Sequence, residues 1–225
     1  MPSQTWEVDV TDYGEAGSTA RTEQPRQKTY AEFLELGQLL SLQRTLAEPP
    51  VHDEMLFVIV HQAHELWFKQ MLHELRALIA HIDAGAWERA ELTTDRLAWI
   101  VRVLICQVDV LRTMRVEEFH RFRAGFGSAS GMQSEQFKAI EELAAGVAAG
   151  PLFREPARSR ERRLAERLLH FDTEMVRWRV HHMELAREMI GGAEGTGGSA
   201  GARYLQGTLD KRFFPELWTA RVDAT

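Results

Sequence analysis

The run from Asp53 to Ala84 constrains this chain more than any other stretch. Phe57, His61, His64, Phe68, Met71, Leu75, Leu78 and Ile82 follow a 4-3 repeat, and Leu56, Val60, Ala63 and Trp67 form a second apolar stripe beside it. A helix apolar on more than one face is stable only when neighbours cover it on several sides, so the rest of the chain has to supply them.

The neighbours carry the same period. Residues from about Trp87 to Thr113 read as a long helix rich in Leu, Val and Ile. From about Ser159 to Ile190, Leu168, Phe171, Met175, Trp178, His182, Leu185 and Met189 mark a further long helix with one apolar stripe. Thr29 can cap a segment through Tyr30, Phe33, Leu34, Leu36, Leu39 and Leu40, closed by Pro49 and Pro50. Ser130 and Gln133 have capping-box spacing ahead of a shorter helix from about Met132 to Ala148, and Tyr204 to Trp218 resumes an amphipathic pattern. Arg121 to Gly131 reads as irregular, and no segment alternates with period two over a useful length. The expected fold is all-α, a bundle, with an irregular stretch over 1–28 and one helical domain over 29–225.

Composition removes several classes of function. Over 225 residues the chain is 44% hydrophobic and 27% charged, ordinary for a globular domain, and its net charge of −6 gives no electrostatic reason to bind nucleic acid. Cys106 is the only cysteine, so no disulfide or multi-cysteine metal site forms within one chain. The N-terminus lacks a signal-peptide pattern, and Met55 to Val60, the most apolar run, is far short of a membrane span. A cytoplasmic protein without membrane or nucleic-acid partners is expected.

Three histidines on core-facing positions carry the chemistry. His182 lies in the apolar stripe between Trp178 and Leu185, and His61 and His64 sit one turn apart between Phe57 and Phe68. A buried imidazole needs partners for its nitrogens, which a carbonyl, a carboxylate or a metal can supply. The glutamates needed for a di-iron bundle are missing, leaving a three-histidine metal site or an axially ligated haem beside the plain structural reading. Gly191 to Gly201 lacks the ending of a phosphate loop and follows a helix; it is either a linker or a lid whose amides and Thr196 hydroxyl bind a polar group. Arg123, beside Phe119, Phe122 and Phe126, is either solvated or a bidentate clamp for a carboxylate. The arginines from Arg154 to Arg167 read as a solvent-facing helix start.

Several motifs, in order along about Thr29 to Trp218, resemble the tryptophan 2,3-dioxygenase family. They are His61-Gln-Ala-His-Glu-Leu-Trp-Phe-Lys-Gln70, Phe122-Arg123 leading to Ala129-Ser130-Gly131, Gly195-Thr-Gly-Gly-Ser-Ala-Gly201, and Thr29-Tyr-Ala-Glu-Phe-Leu34. The resemblance implies a homodimeric or homotetrameric helical enzyme with haem b that adds O2 across the indole C2–C3 bond of L-tryptophan or a close derivative, giving N-formylkynurenine. By position, His182 resembles the axial iron ligand, with Trp178, Ser130, Gly131 and Gly195 bordering the haem. His61 resembles the distal histidine facing the indole N–H. Phe57 and Phe119 resemble pocket walls, and Arg123 and Thr196 the groups that hold the amino-acid end. Tyr30, Phe33 and Leu34 match positions that reach a neighbouring subunit's pocket.

This chain also departs from that pattern. Phe33 and Phe119 stand where tyrosine is expected in many bacterial relatives, His64 replaces a common tyrosine, and Ala200 replaces a loop serine. The stretch from Gly150 to Arg163 is much shorter than usual, which predicts an altered pocket rim. These departures keep two alternatives open: a haem-dependent monooxygenase of tryptophan or a substituted tryptophan in a natural-product pathway, and a non-catalytic haem or indole sensor.

Overall fold

The computed structural model describes residues 27–147, 149, 152, 159–198 and 200–223. The described residues are helical, with no strand among them, as the periodicity predicts. No helix among them is long and apolar enough to cross a membrane. Most of the segment expected to be irregular lies outside the described residues. The chain divides into two compact units, Met1–Leu42 and Gln43–Thr225.

The first unit holds α1 (Tyr30–Leu34) and α2 (Leu36–Leu39). Thr29 caps α1 in a full capping box: its hydroxyl accepts from the Glu32 amide and the Glu32 carboxylate accepts from the Thr29 amide. The single helix expected through Leu40 is instead broken at Glu35, whose φ of 52° is left-handed. None of these helical residues is buried, so little apolar burial favours a longer helix.

The second unit is built on α3 (His52–Asp83), α4 (Trp87–Leu111) and α7 (Arg160–Ile190). Gly85, with φ 63°, turns α3 into an antiparallel α4, and Glu74 pairs with Arg96 across that hairpin at 2.9 Å. Buried Phe68, Met71, Leu75 and Leu78 of α3 share a core with Leu97, Val101 and Leu104 of α4 and Leu164, Leu168, Phe171 and Met175 of α7.

The polar partners of α4 and α7 show how those two helices lie. Glu88–Arg160 (3.6 Å), Glu91–Arg163 (3.5 Å), Asp95–Arg167, Arg102–Glu174 (3.6 Å) and Asp109–His181 (3.0 Å) all join residues 72 positions apart. A constant offset means the helices run parallel and in register. The described arginines of the Arg154–Arg167 run are therefore not merely solvated: Arg160, Arg163 and Arg167 line up against the acidic start of α4. A parallel partner needs a return connection of helix length, about 37 Å for the 25 residues of α4.

That connection contains α5 (Val116–Arg123), whose last three residues fall in the stretch expected to be irregular from Arg121 to Gly131. Two reciprocal bonds anchor its start: the Asp53 carboxylate accepts from the Arg115 amide at 2.8 Å, and the Glu118 carboxylate accepts from the Asp53 amide at 3.2 Å. Phe119 and Phe122 bury its inner face. The capping box of Ser130 and Gln133 is present, but it closes one 3-10 turn, Gly131–Gln133. Ser134 caps the following helix, α6 (Glu135–Ala145), which is shorter than expected at both ends: its first residues are spent on that turn and Gly146 closes it.

The end of the chain is two short helices, α8 (Ala202–Gln206) and α9 (Pro215–Asp223), instead of one amphipathic segment. Pro215 cannot donate into a preceding turn, and it starts the second helix. Asp172, with no exposed surface, accepts from the Phe213 amide at 2.9 Å and the Trp218 indole at 2.7 Å. Arg179 donates to the Lys211 carbonyl at 2.7 Å and to Glu141 at 3.2 Å, with its guanidinium over the Phe213 ring. These two groups fasten the C-terminal segment to α7.

Candidate functional site

Two helices bring the three histidines together. His61 and His64 lie near the start of α3, and His182 lies near the end of the antiparallel α7. Ring contacts link them in sequence. Phe57 is 3.9 Å from His61, His61 is 6.5 Å from His64, His64 is 6.3 Å from Trp178, and Trp178 stacks on His182 at 5.6 Å and 26°. Phe68 and Phe137 close around Trp178 at 6.1 and 5.3 Å. Phe137 belongs to the short helix α6, where sequence reasoning found no functional residue.

The hydrogen bonds assign the tautomers of α3. His61 Nδ1 is 2.7 Å from the Phe57 carbonyl and His64 Nδ1 is 2.9 Å from the Val60 carbonyl. A carbonyl only accepts, so both Nδ1 atoms carry hydrogen and both Nε2 atoms are left as acceptors in the neutral rings. His182 has no hydrogen-bond partner among the described residues, and the indole nitrogen of Trp178 is buried with none.

Burial holds these rings neutral. Desolvation pushes His182 down to about 4, helped by the neighbouring His61 and His64. The same cause pushes His64 down to about 4 and lowers His61, opposed in each case by the backbone carbonyl bond. By accessible surface His61 is exposed and His182 half-buried, although protein crowds both enough to desolvate them. Protein atoms packed around a ring suppress its charge even where part of its edge still meets solvent. Among the described residues no group of His, Cys, Asp and Glu is arranged to hold a metal ion by side chains alone, which removes the three-histidine alternative there.

A phenylalanine wall stands beside His61. Phe57 lies 6.0 Å from Phe119, 5.5 Å from Phe122 and 4.9 Å from a stacked Phe126. Arg123 follows Phe119 by one turn of α5 and donates to the Glu194 carbonyl of the glycine-rich loop. That bond brings Arg123 to the stretch containing Gly195 and Thr196, both half-buried, with Thr196 opening a 3-10 turn through Gly198. Gly201 ends the loop with φ 58°, and a Cβ there would meet the Ala193 carbonyl at 2.5 Å, so only glycine closes it.

The other expected site residues lie on other segments. Ser130 and Gly131 belong to the 3-10 turn, with the Ser130 hydroxyl accepting from the Met132 amide. Tyr30, Phe33 and Leu34 lie in the first unit, 76%, 72% and 40% exposed. The shortened Gly150–Arg163 stretch feeds the start of α7. His182 comes 22 residues after Arg160, about 33 Å along the helix, so the join itself is remote from the imidazoles. An apolar groove of about 350 Å³ lined by Ala63, Leu66, Trp67 and Gln70 occupies a different face of α3.

The family profile described as Tryptophan 2,3-dioxygenase matches residues 15–150 and 151–223. Among similar proteins, each described as "Tryptophan 2,3-dioxygenase", that of Anaeromyxobacter dehalogenans (strain 2CP-C) is 34% identical over 253 residues, covering 86% of this chain and 95% of the relative. That of Nocardioides sp. (strain ATCC BAA-499 / JS614) is 35% identical over 258 residues, covering 89% and 96%. That of Herpetosiphon aurantiacus is 32% identical over 255 residues, covering 87% and 98%. In the first alignment, 86% of 225 residues is about 194, so about 59 of its 253 positions have no counterpart here. The profile match breaks between 150 and 151, within the stretch read as shortened.

Proposed function

Since this chain belongs to the tryptophan 2,3-dioxygenase family, we propose that its site adds O2 across the indole C2–C3 bond of L-tryptophan or a close derivative, giving an N-formylkynurenine-type product. Members are haem-dependent oxidoreductases of tryptophan catabolism, and this chain is one of them. The group we assign to it is haem b.

The residues present fit a haem. The observation that carries the reading is His182: an imidazole crowded by protein, held neutral, and without a hydrogen-bond partner among the described residues. A neutral ring with a free lone pair is the ligating form. Haem supplies the oxygen chemistry when bound, and the chain's own contribution is binding, orientation and exclusion of water. His182 would hold the iron, with Trp178, Ser130, Gly131 and Gly195 bordering the macrocycle.

On the substrate side, His61 Nε2 is an acceptor suited to the indole N–H. Phe57 and Phe119 would flank the ring. Arg123 would exchange its bond to the Glu194 carbonyl for the substrate carboxylate, a charge-assisted pair and so the stronger of the two, while Thr196 contacts the same end. The open faces of Tyr30, Phe33 and Leu34 suit burial against a second copy, in a homodimer or homotetramer.

One observation favours a second reading, single-oxygen insertion: Phe119 packs on Phe57 without the hydroxyl that tyrosine would bring to the substrate surround. Both readings meet one experiment. Purified protein should show a Soret band that tryptophan perturbs, and His182→Ala should lose most of it while keeping its far-ultraviolet circular dichroism. Reduced protein given labelled O2 and tryptophan should yield product carrying both labelled atoms. One labelled atom establishes monooxygenation, pigment without product establishes a sensor, and a colourless protein defeats the haem reading altogether.

A further inference from the structure

Two polar atoms without a partner among the described residues belong to neighbouring rings of α3 and α7. Trp178 is 7% exposed, and its indole nitrogen, a donor only, is buried with no acceptor among the described residues. Leaving it so has a cost comparable to a lost hydrogen bond. His64 is 9% exposed, with Nδ1 committed to the Val60 carbonyl. Its Nε2 is a bare acceptor that no donor reaches among the described residues, and it is not sealed off as the Trp178 nitrogen is. The two ring centroids are 6.3 Å apart. The two rings are therefore neighbours, without an N–H···N bond between them in this arrangement.

Trp178 connects His64 to the ligand. Its indole stacks at 26° on the His182 imidazole one helical turn further on. Water can satisfy His64 Nε2 through the small part of the residue that remains exposed. Were haem held by His182, that water would be excluded and Trp178 would be the neighbouring donor.

We propose that His64 is a positioning residue for the axial imidazole: its Nε2 accepts the Trp178 indole N–H, and the indole fixed in this way sets the plane of His182. The inference rests on the haem reading above. His64 acts through Trp178, as outer partners of metal ligands do when they hold a ligand's orientation.

The test uses haem-loaded protein and three substitutions. His64→Leu removes the acceptor, His64→Gln keeps one, and Trp178→Phe keeps the ring but removes the donor. The readouts are the iron–imidazole stretching frequency of the ferrous form, the rate of haem loss to a scavenging globin, and the Trp178 indole proton resonance in the diamagnetic carbon monoxide complex. His64→Leu and Trp178→Phe should shift the stretching band in the same sense and release haem about 10-fold faster, the lower end for outer partners. The double substitution should go no further than the larger single one, and His64→Gln should stay near the parent. The indole proton should move upfield in His64→Leu and hold its place in His64→Gln.

An unmoved band in His64→Leu, additive effects, or His64→Gln matching His64→Leu would each overturn the proposal. A lower melting temperature with an unmoved band would likewise reduce His64 to a packing residue. If His64→Leu does not fold, Trp178→Phe must move the band and His64→Gln must not. Failure of the haem reading is distinguishable: the parent takes up no haem, or His182→Ala holds it as well as the parent does.

Discussion

His64 is a weak base in the native state because its surroundings cannot solvate a charge. Burial holds it at about 4, against 6.5 for the free side chain, with neighbouring His61 lowering it further and Glu65 and the Val60 carbonyl opposing. Above pH 6.5 it is neutral whether the chain is folded or not, and it contributes no pH dependence. Between 6.5 and about 4 the unfolded chain takes up a proton that the native ring refuses, so stability falls as pH falls, by up to about 1.4 kcal/mol per pH unit from this ring. Urea unfolding of haem-free protein at neutral and mildly acidic pH should show that loss, and His64→Gln should lose less across the same interval. An equal loss in both proteins would mean His64 does not titrate as its burial requires. The sequence placed His64 on the apolar face but could not say which of its nitrogens was occupied, because the bond to Val60 depends on a rotamer.

At the scale of elements, the glycine-rich loop is the segment whose form is most tightly prescribed. Gly201 is left-handed, and the atoms its Cβ would meet include two of rigid backbone, the Ala193 carbonyl at 2.5 Å and the Gly195 amide at 3.2 Å. Gly201→Ala should therefore displace the loop, weaken the Arg123 contact to Glu194 and raise KM for tryptophan about 10-fold. Strain of this kind costs about 1–3 kcal/mol, enough to lower the melting temperature by several degrees. Unchanged KM and melting temperature together would show that the loop adapts. Helix α5 teaches the opposite lesson about legibility. Its eight residues are too few for a persuasive period, and its anchor comes from Asp53, 62 residues away from Arg115.

For the whole molecule, packing of α4 against α7 decides stability more than the ladder of charges between them. Arg167 is a 39% exposed side chain paired with Asp95 and Glu91, whereas its neighbour Leu168 is wholly buried. Exposed pairs contribute about 0–1 kcal/mol, while truncating a buried leucine costs about 2–5 kcal/mol. Arg167→Ala should thus cost at most about 1 kcal/mol in urea unfolding and Leu168→Ala several times more. Equal losses would mean that the charges hold the interface. The ladder instead selects register: five pairings share one offset, and sliding α7 by one turn would separate all of them.

Three long helices, their lengths and their buried stripes were readable from residue spacing alone, because a 3.6-residue period converts directly into a face. The same periodicity put His64 and His182 on inward-facing positions, whereas His61, expected there too, is exposed, and four motifs pointed to the family. What spacing could not supply was anything made by residues far apart in the chain: the parallel course of α4 and α7, the Asp172 and Arg179 fastenings, the Arg123 bond to the loop, and the contact of Trp178 with both His64 and His182. Local patterns report how a residue faces its own helix. Which partner meets that face depends on how the helices cross, and that is settled by the burial of all of them at once.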